Sequence, residues 1–131
     1  MHRPVAVLDA CVLIKYDLMS VLLSMAVEEL FDPRWSHEIL EETRRNLVTS
    51  LGLDPAKAAR RISSMDTAFA DAGVVGYEVL TETMTCHPKD RHVLAAAVAA
   101  EADYLVTENL RDFPATSTAP HEVEVVTRSS S

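Results

Sequence analysis

The chain has 131 residues, 48% of them apolar, with 20 acids against 12 lysines and arginines and a net charge of −8. Such a length suits a single domain with a real core, expected here over residues 1–131, and no apolar run approaches the roughly 18 residues of a membrane span. The acidic balance argues against a protein that grips nucleic acid by bulk charge, although a local basic patch or a divalent metal is compatible with it.

The N-terminus has none of the features of a signal peptide. Cys11 and Cys86 follow no disulfide-framework spacing, so a reducing cytoplasm is expected. Val5 to Leu8 is a Val-rich apolar run bounded by Pro4, the signature of a strand buried on both faces. Asp9 ends it, at the position where open parallel sheets bind ligands, though a strand-end Asp often only caps the next helix. Ser20 to Leu30 has a helical apolar stripe of Leu22, Leu23, Ala26, Val27 and Leu30. Phe31 to Trp35 is interrupted by Pro33 and predicts no more than a brief edge strand.

Ser36 is a predicted N-cap for a helix carrying Ile39, Leu40, Thr43 and Leu47, ending near Ser50. Asp54 and Pro55 open another, over Ala56 to Ala70, with Lys57, Arg60 and Arg61 on one side and Ile62, Met65 and Phe69 on the other. Ala72 to Tyr77 is expected to turn the chain, and the stretch to Met84 fits strand or helix equally. Pro88 to Arg91 opens an Ala-rich helix from His92 to Ala102. Tyr104 to Thr107 is a second buried strand, Ala115 to Pro120 a loop, and Glu122 to Thr127 a closing strand. Disorder is expected over about 128–131. This alternation predicts a three-layer α/β fold around a parallel sheet.

Several acids stand where apolar residues are expected. Asp90 shares a helix face with Leu94, Ala97 and Val98, and a buried unpaired carboxylate is costly without a cation or strong donors. The competing reading of Asp90 is a first-turn acid that complements the helix dipole. Glu42 borders the stripe of its helix, whereas Glu41 faces solvent; alone, Glu42 reads as a surface residue and Asp112 as a turn acid. Together with Asp9 they suggest acids converging on one sheet edge. Hard cations such as Mg²⁺ or Mn²⁺ favour carboxylate oxygens, and a cation so held can activate water against a phosphodiester.

Four blocks carry a resemblance: Asp9 within Val7 to Leu13, Trp35 to Glu42, Pro88 to Ala97, and Leu105 to Pro114. In order and content they resemble PIN-domain ribonucleases, and within that family VapC-like toxins of bacterial toxin–antitoxin systems. Gly76 to Glu78 is similar to the matching segment of a VapC subgroup. The resemblance implies a flavodoxin-like α/β/α sandwich and a Mg²⁺- or Mn²⁺-dependent endoribonuclease. Asp9, Glu42, Asp90 and Asp112 would be its acidic quartet, holding metal and catalysing. Thr107 and Asn109 would support it, Thr107 by orienting a carboxylate or water. Many relatives have an acid where Asn109 stands, so Asn109 and Asp112 compete for the fourth place, with Glu108 a further candidate expected to point away. Also implied are an RNA substrate, a cognate antitoxin, a homodimer and no membrane association. Some relatives continue into extra helices; this chain stops at Ser131, so any substrate contact made there is expected to be missing or supplied by another chain.

Lys89, Arg91 and Arg111 are the candidate RNA contacts, with Arg44 and Arg45 at least as well explained as solvated helix surface. Val21, Leu22, Met25 and Trp35 are candidates for an apolar partner groove, against a default role in the core. A phosphohydrolase with Asp9 as nucleophile is disfavoured, because Cys11 stands where a second Asp is needed. A zinc site of Cys86, His87 and His92 lacks a second Cys pair, and His37 and His92 read as surface or packing histidines. The rival of a different class is a PIN-like module that binds RNA or a partner without cutting.

Overall fold

The structure, a computed structural model, describes residues 3–127. The tail expected over 128–131 lies outside the described residues. β1 (Val5–Leu8) is buried at all four positions and pairs in parallel with β2 (Asp32–Ser36) on one side and β4 (Tyr104–Val106) on the other. β3 (Gly73–Val74) lies outside β2 and β5 (Glu124–Val126) outside β4, so the all-parallel sheet runs β3-β2-β1-β4-β5. Among the described residues the helices are α1 (Ala10–Leu13), α2 (Tyr16–Val27), α3 (His37–Thr49), α4 (Pro55–Ala68), α5 (Glu78–Thr81), α6 (Arg91–Ala99) and α7 (Ala115–Thr118). The chain steps outward from β1 through β2 to β3, then returns to β4 and β5. Right-handed crossovers therefore put α1–α4 on one face and α5–α7 on the other. This is the three-layer α/β/α arrangement expected from the sequence. Strand order reverses between β1 and β4, which makes the carboxyl ends of those two strands the natural crevice.

Local chemistry sets the helix starts. Ser36 Oγ accepts the Ile39 N–H at 3.1 Å, and Asp54 Oδ2 accepts that of Ala56 at 3.2 Å just ahead of Pro55. α3 ends where Gly52 adopts φ +67° and donates to the Val48 carbonyl, a conformation that favours glycine. Val7, Leu8, Leu13, Trp35, Ile39, Leu94 and Leu105 are fully buried between the layers. Five consecutive residues of α6, Val93–Ala97, are buried. The small alanines let this helix pack closely on neighbours all round. Among the described residues no helix is long and apolar enough to cross a membrane.

Several expectations need correction. β2 is an interior strand despite Pro33. Asp32 N donates to the Pro4 carbonyl, so the missing N–H of Pro33 faces away from β1, toward a stretch that the two-residue β3 does not cover. β3 itself lies in the segment expected only to turn. The first long helix begins at Tyr16 rather than Ser20 and ends at Val27, with Leu18 and Met19 buried in its first turn. Residues 78–81 resolve as helix, and a 3-10 turn at Pro88–Asp90 precedes α6, which ends at Ala99. The expected loop after Pro114 is α7 followed by a 3-10 turn at Ala119–His121. Arg61 is half-buried: its Nη2 donates to the Leu13 carbonyl at 2.7 Å, and its guanidinium lies 5.5 Å from the Tyr16 ring centroid. Trp35 is a core residue, edge-on to Phe69 with centroids 6.0 Å apart, and is unavailable to a partner groove.

Candidate active site

Asp9 is the fixed point of the crevice. It is 2% exposed. Its backbone N–H donates to the Val106 carbonyl at 3.0 Å, tying the end of β1 to β4. Oδ1 accepts the Ala10 N–H at 2.7 Å, so the cap reading of this residue is correct as far as it goes. Oδ2 accepts the Thr107 hydroxyl at 2.9 Å and lies 3.6 Å from Cys11 Sγ. Burial raises the pKa of Asp9; the Thr107 and Ala10 bonds oppose this, the Glu42 charge adds to it, and the Cys11 bond opposes it more weakly.

Thr107 is fully buried at the end of β4. Its oxygen donates to Asp9 and accepts the Asn109 N–H at 3.0 Å. Cys11 Sγ lies 3.4 Å from the same oxygen and accepts the Glu108 N–H at 3.3 Å. Burial, then the Asp9 charge, push the Cys11 thiol up to about 11. It is a neutral donor here, not a thiolate.

Three further acids face this pair. Asp90, 7% exposed, sits where the 3-10 turn meets α6 and uses no side-chain oxygen to cap the helix. It was not placed there for the helix dipole alone. Burial pushes its carboxyl up to about 7, reinforced by a hydrogen bond with Asp112 and by the charges of Asp9, Asp112 and Glu42. Asp112, half-buried, closes the 3-10 turn Leu110–Asp112, whose carbonyl accepts the His87 N–H at 3.2 Å. Glu42 projects from α3 with its Oε1 3.3 Å from His92 Nε2. That contact, against burial, lowers its pKa.

The structure thus brings Asp9, Asp90, Asp112 and Glu42 to one sheet edge. Asn109 is exposed and contributes its backbone N–H to Thr107, whereas Asp112 is the group set against Asp90. Glu108 is held by Lys15 Nζ at 3.2 Å. Lys89 and Arg111 are exposed at the rim, Arg111 in a cleft with Asn109, Asp112 and Thr127. Arg91 directs its Nε to the Cys86 carbonyl at 3.1 Å, and Arg44 pairs with Glu41. Reasoning from spacing missed His92 and the Cys11–Thr107 contact. Both partners lie far away in sequence, on elements whose facing sides no single-helix period reveals.

Among the described residues no three His, Cys, Asp or Glu side chains are arranged around a single point as a metal requires. Cys86, His87 and His92 likewise form no zinc set. The donor chemistry nevertheless suits a hard divalent ion: oxygen ligands only, in a pocket where each carboxylate raises the proton affinity of Asp90.

A family model described as "PIN domain" matches residues 5–111 of the chain. The chain belongs to the PIN-domain family. A Mycobacterium tuberculosis protein named "Putative ribonuclease VapC50" is 42% identical over 64 residues, which cover 49% of this chain and 36% of that protein. The aligned stretch is thus about a third of that relative. The PIN-domain match includes Asp9, Glu42, Asp90, Thr107 and Asn109 and stops one residue before Asp112. Asp112 is thus placed beside Asp90 by the structure alone, outside the matched stretch.

Proposed function

We propose that this PIN domain is a divalent-metal-dependent endoribonuclease whose ion is held by Asp9, Glu42, Asp90 and Asp112. The observation that carries the reading is Asp90, a buried acid pushed up to about 7 by its own burial and by three neighbouring carboxylates. So much unbalanced negative charge in one crevice is most simply offset by a cation. Bound Mg²⁺ or Mn²⁺ would supply water activation near neutral pH and stabilisation of the leaving oxygen. The chain's own contribution is orientation. Thr107 and the Ala10 N–H hold both oxygens of Asp9 at the strand end, and the buried Thr107 keeps water from that side. Lys89 and Arg111 at the rim suit phosphates of a single strand.

The relative's name, "Putative ribonuclease VapC50", supports RNA as substrate, and the resemblance to VapC-like toxins supports the role of toxin in a toxin–antitoxin pair. A cognate antitoxin, carrying an Arg into the acidic crevice, a homodimer and a cytoplasmic setting belong to the same proposal. Incubation of total RNA with Mn²⁺, alongside Asp9→Asn and Asp90→Asn, tests it. Cleavage that both substitutions abolish is expected. Absence of metal-dependent cleavage, or cleavage surviving both substitutions, refutes the nuclease reading and leaves a binding module.

A further inference from the structure

One contact beside the acidic crevice has no part in the reading above. His92, in the first turn of α6, and Glu42, on α3, meet at 3.3 Å with side chains only 13% and 26% exposed. Exposed ion pairs contribute little and are easily lost; this one is enclosed. The Glu42 bond is the only one the imidazole makes among the described residues, since His92 Nδ1 is buried without a hydrogen-bond partner. A second tie steadies the same stretch of α3: Tyr77, buried just before α5, donates its hydroxyl to Glu38 Oε1 at 2.6 Å. Glu38 lies one helical turn before Glu42, and Glu38, Glu42 and Asp9 are the charges that act on His92. The connection between β3 and β4 therefore grips α3 at two successive turns.

A glutamate has three rotatable bonds, and ordering a chain of that length is opposed by the rotamer freedom it loses. Asp9 avoids much of this cost through its own hydrogen bonds; among the described residues Glu42 has no comparable donor except His92. We propose that His92 is a positioning residue that holds Glu42 by Oε1 and thereby presets its other oxygen for a divalent cation at the acidic site. The proposal rests on the metal-dependent reading. Hydrogen-bond partners of ligating groups typically contribute about 10–100-fold to metal affinity.

Calorimetric titration of Mn²⁺ into the RNA-free full chain tests it, using wild type, Glu42→Gln, His92→Phe, His92→Gln and the Glu42→Gln/His92→Phe double variant, each checked for folding by circular dichroism. His92→Phe should weaken Mn²⁺ binding about 10–100-fold. His92→Gln, which keeps an N–H donor near the place of Nε2, should recover most of the loss. In the Glu42→Gln background, His92→Phe should add little further loss, because the two residues act through one contact. A packing role would give neither the rescue nor the coupling. Should His92→Phe melt early, His92→Asn, whose amide stops short of Glu42, replaces it in the cycle. Wild-type affinity in a folded His92→Phe, or losses that add fully, would overturn the inference alone. No Mn²⁺ uptake by wild type would overturn the metal reading and the inference together.

Discussion

Replacing Asp90 by Asn should stabilise the metal-free protein at alkaline pH while removing its ability to bind the ion. Asn keeps an N–H donor toward Asp112 and removes the ionisation. The folded carboxyl titrates at about 7 against an ordinary 3.8, so the folded state holds the proton more tightly than the unfolded chain. Its contribution is fully present below the unfolded value and is lost as pH rises through the folded one. At about 1.4 kcal/mol for each tenfold change in proton affinity, the upper bound is about 4 kcal/mol. The crevice admits solvent, so roughly 2 kcal/mol is the expected penalty above neutrality. Asp9 and His92, also raised, act with the same sign. Glu42, lowered, acts oppositely, but its contribution is essentially complete by about pH 5.5. Wild type in EDTA should therefore lose stability between about pH 5.5 and pH 8, and Asp90→Asn should lose less. At about pH 8 the variant should melt roughly 5–10 °C higher by circular dichroism. Mn²⁺ at about a hundred times its Kd should return about 2.7 kcal/mol to wild type and little to the variant. A wild-type melting point flat or rising across that interval, or a variant no more stable at the alkaline end, refutes the argument.

Thr107→Val keeps the shape but removes a bond to a buried carboxylate, and should cost about 1–3 kcal/mol in urea denaturation. The same change removes the largest influence lowering the Asp9 pKa, so the acid limb of the cleavage profile should move to higher pH. Arg61→Met leaves the Leu13 carbonyl without its donor and should destabilise by about 1–2 kcal/mol, with Mn²⁺ uptake unchanged. Ser36→Ala removes the cap of α3 and should cost about 1 kcal/mol by chemical denaturation. Lys89→Ala and Arg111→Ala should each flatten the slope of log RNA affinity against log salt by about 0.7, the value for one single-strand phosphate contact. An unchanged slope would exclude these residues from the RNA path.

The two central strand ends are legible in the sequence because each is a short apolar run stopped by a polar group, and burial on both faces leaves little else such a run can be. Ser36 and Asp54 are legible for the same local reason, a capping oxygen ahead of a periodic segment. β3 is not, because two residues carry no period and its pairing is decided by the chain beside it. Pro33 misleads because the rule against proline concerns the side its N–H would face, which only the sheet order reveals. The start of α2 is hidden since Lys15 offers no capping oxygen and the helix is held by the burial of Leu18 and Met19. α7 is built from Ser and Thr, weak helix formers, and its buried Ser117 is tied to Thr85 at 2.9 Å, a tertiary bond with no trace in local composition. The acids are legible singly, as charges on faces that should be apolar. Their grouping, and the pairing of Glu42 with His92, depend on how two helices of different crossovers meet.

Cys11 shows how closely this crevice limits its own charge. It stands two residues after Asp9, within reach of Asp9, Thr107 and the Glu108 N–H. A carboxylate there would add a further charge directly against Asp9, at a site where Asp90 already retains its proton to about 7. A thiol pushed up to about 11 remains neutral at any physiological pH and can still supply a weak donor. Thr107 plays the matching part from β4, neutral and fully buried. The acids are therefore divided by rigidity. Asp9 is fixed between two neutral donors at the strand ends, whereas Glu42, Asp90 and Asp112 sit on helices and turns and are paired with His92 or with each other. An oxygen pair held by neutral donors, beside acids paired through His92 or with each other, is an arrangement whose remaining negative charge a cation would offset.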